Sequence, residues 1–260
     1  MSGPHVLVTV GDAAAAARAT AELVITAAID AVQKRGVFHF CTTGGSTPAA
    51  LYGVLREAAN VSRMPWSHTE IWFGDDRHVP RTSPLSNLAT IDSVLLAPSA
   101  DGAPSPISPR AVHPWPTEEV GARAVDSYLS AVQNAGVEHT PAGFPIFDLL
   151  LIGIGSDAHC LSVFPGSPLT ATDSPVAGAV PAPAHIEPHV PRLTFSLRVL
   201  SAARAVCAAA VGEGKSAALA RILEEEETAS ELPAKAALLP TATWIVDRAA
   251  ASRLHNSTER

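Results

Sequence analysis

A chain of 260 residues with 47% apolar and 17% charged residues is too hydrophobic to be disordered, and it is long enough to bury about 70–75% of its unfolded surface. A formal net charge of −7 and an isoelectric point near 5.8 argue against broad nucleic-acid binding, which needs a dense basic footprint. No run of about 18 uncharged apolar residues exists, because Arg18, Glu22 and Asp30 break the Ala-rich stretch near the start, so no membrane-spanning helix is expected. Met1 to Val10 carries no basic or apolar leader pattern, and the three cysteines, Cys41, Cys160 and Cys207, are isolated. The expected compartment is a reducing cytoplasm.

Short apolar runs alternate with longer amphipathic ones, which predicts an α/β protein: a single domain over 1–260, with a mostly parallel, Rossmann-like sheet in a three-layer α-β-α arrangement. Val6 to Val10 reads as a strand. Asp12 is placed as the N-cap of a helix reaching about Lys34. Val37 to Thr42 is a second strand, followed by the turn Gly44-Gly45-Ser46-Thr47-Pro48 and a helix to about Glu57, with Pro48 suited to its first turn. Glu70 to Gly74 is a third strand, ending in a polar loop, Asp75 to Asn87. A helix starts near Leu88 and ends before Pro98. Ala97 to Pro116, rich in Pro, Ser and Gly, reads as a surface loop or an excursion from the core. A helix from about Glu118 to Asn134 leads to Phe147 to Ile152, an apolar run typical of a strand buried on both faces. Val176 to Val180, Arg192 to Leu197 and Ala205 to Val211 look like further strands, with the Pro-rich loop Pro181 to Pro191 between the first two. A helix from about Lys215 to Glu227, a strand at Thr243 to Val246 and a short terminal helix complete the pattern. Glu224 to Glu227 reads as a solvated helix end.

In open α/β sheets ligands bind outside the carboxyl ends of the strands, so the loops after each apolar run carry the chemistry. The Gly44 to Pro48 turn offers backbone N–H groups, two hydroxyls and a helix N-terminus to a phosphate or a sugar hydroxyl. Asp75-Asp76-Arg77, with Asn87 beyond, puts a guanidinium beside carboxylates that can orient it. Gly153-Ile154-Gly155-Ser156-Asp157-Ala158-His159 delivers a histidine close to an acid, the usual equipment for activating water near neutral pH. Gly212-Glu213-Gly214-Lys215 places a lysine at a strand-to-helix turn, and Arg192 is a further phosphate candidate. Two patterns are rejected. Gly153-x-Gly155-x-x-Ala158 imitates a dinucleotide fingerprint, but Pro165 and Gly166 end any following helix too early. Gly214-Lys215-Ser216 suggests a phosphate-binding P-loop, but Ala209 stands where its first glycine belongs. No G-x-S-x-G elbow and no paired Cys/His spacing is present, so neither a conventional serine hydrolase nor a metal site is expected.

Taken together, these loops resemble the 6-phosphogluconolactonase family over nearly the whole chain and in the right order. Thr43 to Pro48 resembles its Gly-Gly-Ser-Thr-Pro turn, and Trp72 to Asn87 its Trp-x-Asp-Glu-Arg-x-Val-Pro segment ending in Ser-Asn. Gly153 to Pro165 is similar to its Gly-x-Gly-x-Asp-Gly-His-x-x-Ser-Leu-Phe-Pro segment. Arg192 to Thr194, Gly212 to Lys215 and Thr241 to Asp247 match its remaining segments. The resemblance implies the phosphosugar isomerase/lactonase type of fold and hydrolysis of 6-phospho-D-glucono-1,5-lactone in the oxidative pentose phosphate pathway. It implies no metal or organic cofactor, a small sugar-phosphate lactone as the only partner besides a second copy of the chain, and a monomer or homodimer. His159 would be the general base, Asp157 would orient it, and Arg77 would join them in catalysis. Gly44, Gly45, Ser46, Thr47, Asp75, Arg192 and Lys215 would hold the substrate and its phosphate.

Three departures from the family pattern stand out: Ala158 for Gly, Asp76 for Glu, and Leu161 with Val163 for Ala and Leu. If the backbone at 158 takes a positive φ, alanine there costs on the order of 1 kcal/mol. Two other readings are kept in view. An aminosugar-phosphate deaminase/isomerase shares the Asp-x-His loop but typically follows the His with Ile-Ala-Phe-Asn-Glu, where this chain has Ser162-Val163-Phe164-Pro165. A sugar-phosphate-binding protein without turnover has Ala158 as its only support.

Overall fold

The computed structural model describes residues 5–99 and 102–255, apart from the side chain of Ser46. Among these residues seven parallel strands form the central sheet, in the order β1-β10-β9-β6-β2-β3-β5. They are β1 (Val6–Val10), β2 (Phe38–Thr42), β3 (Thr69–Phe73), β5 (Val112–His113), β6 (Leu149–Gly153), β9 (Val206–Ala210) and β10 (Ala242–Asp247). The central strands β2 and β9 are buried along their whole length, as expected of a parallel sheet covered on both faces.

Helix α1 (Ala13–Arg35) shows how the sequence sets an element. The Asp12 carboxylate accepts from the Ala15 N–H at 2.7 Å, Lys34 and Arg35 complement the last turn, and the Gly36 N–H closes it on the Val32 carbonyl at 2.9 Å. Its buried side is mostly alanine, including Ala16, Ala17, Ala21, Ala28 and Ala31, which lets the helix lie close to the sheet. The other helices are α2 (Ser46–Arg56), α3 (Ala58–Val61), α4 (Leu88–Ile91, continued by a π-turn over Asp92–Leu96), α5 (Gly121–Asn134), α6 (Arg198–Ala202) and α7 (Ser216–Glu224). Among the described residues no helix is long and apolar enough to cross a membrane.

Several expectations are corrected. The Asp75–Asn87 loop opens with a strand, β4 (Asp75–Arg77), which joins β8 (Arg192–Phe195) and β7 (Ala177–Val180) in a separate antiparallel sheet of order β4-β8-β7. The strands expected at 176–180 and 192–197 are present as β7 and β8, and they lie in this second sheet. The described part of the Ala97–Pro116 stretch is more than a surface loop: it adds edge strand β5 and buries Ile107 and Trp115, whose indole N–H donates to the Phe73 carbonyl at 2.9 Å. The helix expected from Glu118 begins at Gly121, α6 was not foreseen, and Lys215 ends a 3₁₀ turn (Glu213–Lys215) before α7. Helix α7 stops at Glu224, and Arg221 pairs with Glu227 beyond it at 2.9 Å.

From β2 the chain proceeds outward to β3 and β5, and from β6 it proceeds the other way to β9 and β10. The strand order thus reverses between β2 and β6, which pair over only two residues, Phe40 with Leu149 and Cys41 with Leu150. A crevice at the carboxyl ends of these two strands is where such a sheet receives a ligand.

Candidate active site

A cavity of about 270 Å³ opens at that crevice. The loop after β2 contributes Thr43 and Gly44, the end of β6 and the loop after it contribute Gly153 to Ser156 and His159, and the small sheet contributes Asp75, Arg77 and Arg192. Lys215 completes the wall and is shared with an adjoining lobe of about 160 Å³ that Gly45 and Thr47 line at the start of α2. Of the residues singled out from sequence, Asp157 stands behind His159 rather than on the wall, and the Ser46 side chain lies outside the described residues.

His159 Nδ1 lies 2.5 Å from Asp157 Oδ1, which also accepts the His159 backbone N–H at 3.2 Å. An ionised carboxylate only accepts, so in the neutral imidazole Nδ1 carries the proton and Nε2 keeps a lone pair for the cavity. Partial burial works to raise the Asp157 carboxyl, but bonds and charge from His159, with a further bond from His185, hold it well below the usual carboxylate range. Two non-glycine residues with positive φ bracket this histidine, Ala158 at 66° and Leu161 at 54°. The strain expected of an alanine replacing glycine is therefore present, and packing holds it: Ala158 is fully buried and its carbonyl accepts from the Ala234 N–H at 2.9 Å.

Strands β4 and β8 set Arg77 directly opposite Arg192. Like charges facing across strands repel, so the pair calls for an anion between or beside them. Arg192 is only 4% exposed; its Nη2 donates to the Pro188 carbonyl at 2.8 Å, while its buried Nε and Nη1 have no partner among the described residues. Burial and the neighbouring Arg77 charge both lower its affinity for its proton. Burial likewise lowers the Lys215 ammonium, with the Asp157 charge opposing. Unsatisfied buried guanidinium nitrogens at a cavity wall are a seat for an oxyanion.

Asp75 ties three loops together. Its Oδ2 accepts from Ser162 Oγ at 2.6 Å, and its Oδ1 lies 3.4 Å from both Thr43 Oγ1 and Asn87 Nδ2. Gly44 is required here by close approach, because a Cβ at that position would sit 2.1 Å from Asn87 Oδ1. Asp76 faces away from the cavity and is fully buried, accepting from the N–H groups of Arg77 and Asn87, each at 2.7 Å, and from Ser86 Oγ at 3.1 Å. Burial pushes its carboxyl up to about 6, opposed by the Asn87 bond and reinforced by the Asp75 charge. The unfolded carboxyl titrates near 3.8, so the folded protein binds this proton more tightly. Stability should fall as pH rises from about 4 to about 6, by up to roughly 3 kcal/mol. Asp76→Asn keeps an acceptor for both N–H groups and removes the ionisation. Urea unfolding across that window is expected to give a flatter stability curve for this variant; a curve parallel to the wild type would assign the pH dependence to other groups.

Sequence reasoning did not anticipate Ser162, Phe164, Ile186 and Glu187 on the wall, nor His185, whose Nε2 lies 2.8 Å from Asp157 Oδ2. His185 comes from the Pro-rich 181–191 loop, where no motif marks it. Among the described residues no cluster of three or more His, Cys, Asp or Glu side chains is arranged to hold a metal ion.

The sequence pattern of the glucosamine-6-phosphate isomerases/6-phosphogluconolactonase family matches residues 11–246. The chain is 31% identical over 265 residues to a 6-phosphogluconolactonase of Streptomyces coelicolor, covering 99% of this chain and 97% of that protein. It is 30% identical over 243 residues to a 6-phosphogluconolactonase of Synechocystis, covering 89% and 90%. Its fold is similar to that of the 6-phosphogluconolactonase from Trypanosoma cruzi, with a TM-score of 0.81 at 23% identity over 98% of each chain. The mainly parallel sheet with its covering helices, the crevice between β2 and β6 and these likenesses agree, and the chain belongs to the glucosamine-6-phosphate isomerase/6-phosphogluconolactonase family.

Proposed function

We propose that the protein hydrolyses 6-phospho-D-glucono-1,5-lactone to 6-phospho-D-gluconate, as its named relatives suggest, with His159 as general base. The observation that carries this reading is a His–Asp pair opening onto the same small cavity as a buried arginine with unsatisfied donors. One end activates water and the other seats an anion. His159 Nε2 takes a proton from water as the oxygen attacks the lactone carbonyl. The tetrahedral oxyanion is stabilised by a nearby cation, and as it collapses the ring C–O bond breaks and the imidazolium protonates the departing ring oxygen. Arg77, Arg192 and Lys215 divide the phosphate and the oxyanion between them, and the N–H groups at the start of α2, around Gly45 and Thr47, add donors. Asp75 acts by fixing the loops that carry these groups.

The aminosugar reading needs a downstream carboxylate on the histidine. Among the described residues the acidic partner of His159 is Asp157, and Pro165 follows Phe164 where an acid would be sought. The test of the lactonase reading is the rate of lactone disappearance with purified protein and a metal chelator, corrected for spontaneous hydrolysis. Saturable acceleration supports it; binding of 6-phosphogluconate without acceleration would leave a binding protein instead. Lys215→Ala is expected to raise KM roughly 10-fold or more with little change in kcat, as befits a phosphate anchor. A fall in kcat at unchanged KM would move Lys215 to the oxyanion.

A further inference from the structure

Asp157 is shared. While Oδ1 holds His159 Nδ1 at 2.5 Å, Oδ2 receives the imidazole of His185, 28 residues further along the chain, at 2.8 Å, so one carboxylate bridges two histidines from separate segments. Phe164 packs against both, with its ring centroid 4.8 Å from that of His159 and 5.7 Å, edge on, from that of His185. The loop carrying His185 is itself fastened to the cavity: Pro188 O accepts from Arg192 Nη2, Pro191 O accepts from the His78 N–H, and Ile186 and Glu187 line the wall. A half-exposed histidine on a connecting loop has no packing need for so defined an arrangement.

We infer that His185 is a positioning residue, which anchors the second oxygen of Asp157 and so fixes both the direction of that carboxylate and the share of its charge offered to His159. The inference rests on the lactonase reading for its kinetic consequence but not for its geometry. A carboxylate bonded through one oxygen only can rotate about its Cβ–Cγ bond. Bonding both oxygens removes that freedom and keeps Oδ1 aimed at Nδ1. The N–H donated by His185 also draws off part of the negative charge that stabilises the imidazolium of His159. The other charged groups near the pair are Lys215, whose field reaches Asp157, and Glu187 and His189 on the same loop as His185, which lie 3.1 Å apart.

His185→Ala and His185→Gln separate this role from loop packing, because glutamine supplies an N–H donor without titrating. In His185→Ala, kcat is expected to fall on the order of 10-fold with KM changed less than about threefold, because the base is misdirected while the phosphate seat is intact. The acid limb of its kcat/KM profile moves to higher pH, since the undivided carboxylate charge holds the imidazolium more strongly. His185→Gln recovers most of the turnover and keeps the wild-type limb. NMR titration of the His159 ring, in all three proteins, is expected to show the same upward displacement in the alanine variant alone. Wild-type turnover and titration in His185→Ala, or equal impairment of the two variants, would overturn the inference. If the wild-type protein fails to accelerate lactone loss, the functional reading falls, and the NMR titration still decides the positioning role.

Discussion

His159→Ala is expected to lower turnover by about 10²–10⁴-fold while leaving KM nearly unchanged. The side chain touches the cavity with Nε2 and the protein with Nδ1, so its removal deletes the proton acceptor while Arg192 and Lys215, which line the same cavity, stay in place. The fold should tolerate the change, because the ring is part-exposed and Asp157 keeps His185 as a partner. Residual acceleration over the spontaneous reaction then measures what the cations and binding supply alone. Asp157→Asn gives an independent check at constant shape. An amide turned to donate to Nδ1 would force the proton onto Nε2, the wrong tautomer for a base, so a loss of similar kind is expected. Turnover in His159→Ala equal to the wild type, measured in the same lactone assay, would remove His159 from the mechanism.

What was legible in the sequence is what local patterns encode. Asp12 and Gly36 bracket α1, apolar runs mark the buried strands, and contiguous motifs after strands make His159, Asp157, Arg77 and Lys215 candidates, with Arg192 a further one at a strand start; the fold brings four of the five, all but Asp157, onto one cavity wall. Ala158 could be posed as a question, and its φ of 66° answers it. The second sheet was hidden because β4 is three polar or charged residues, Asp75-Asp76-Arg77, without apolar alternation, and its partner lies more than a hundred residues away. That pairing creates the opposed arginines, so this anion signal is tertiary. β5, two residues long, was hidden for the same reason, and so was the contact of His185 with Asp157. Short strands and long-range side-chain bonds leave no period to read.

Gly155→Ala is expected to lose nearly as much turnover as His159→Ala, although no functional group is removed. A Cβ at Gly155 would lie 2.1 Å from His159 Nδ1, 2.3 Å from its Cε1 and 2.4 Å from Asp157 Oδ1, inside the contact radius of both partners of the pair. Neither side has a cheap escape. The Gly155 N–H donates to the His159 carbonyl at 2.8 Å and its carbonyl accepts from the Ala158 N–H at 3.2 Å, while Ala158 and Leu161 already hold strained backbone on either side. The added methyl must therefore part the imidazole from its carboxylate, which deletes the tautomer and direction of the base and should cost on the order of 10²–10⁴-fold in kcat. Affinity for 6-phosphogluconate should stay within about threefold of the wild type, because the phosphate groups of the site are untouched. Gly53→Ala supplies the control: it sits exposed in α2 with nothing within 4 Å of a new Cβ, so turnover should be unchanged and stability higher by about 0.5–1 kcal/mol. Full activity in Gly155→Ala would mean that the His159–Asp157 bond is not needed during turnover, and the base would have to be sought elsewhere on the cavity wall.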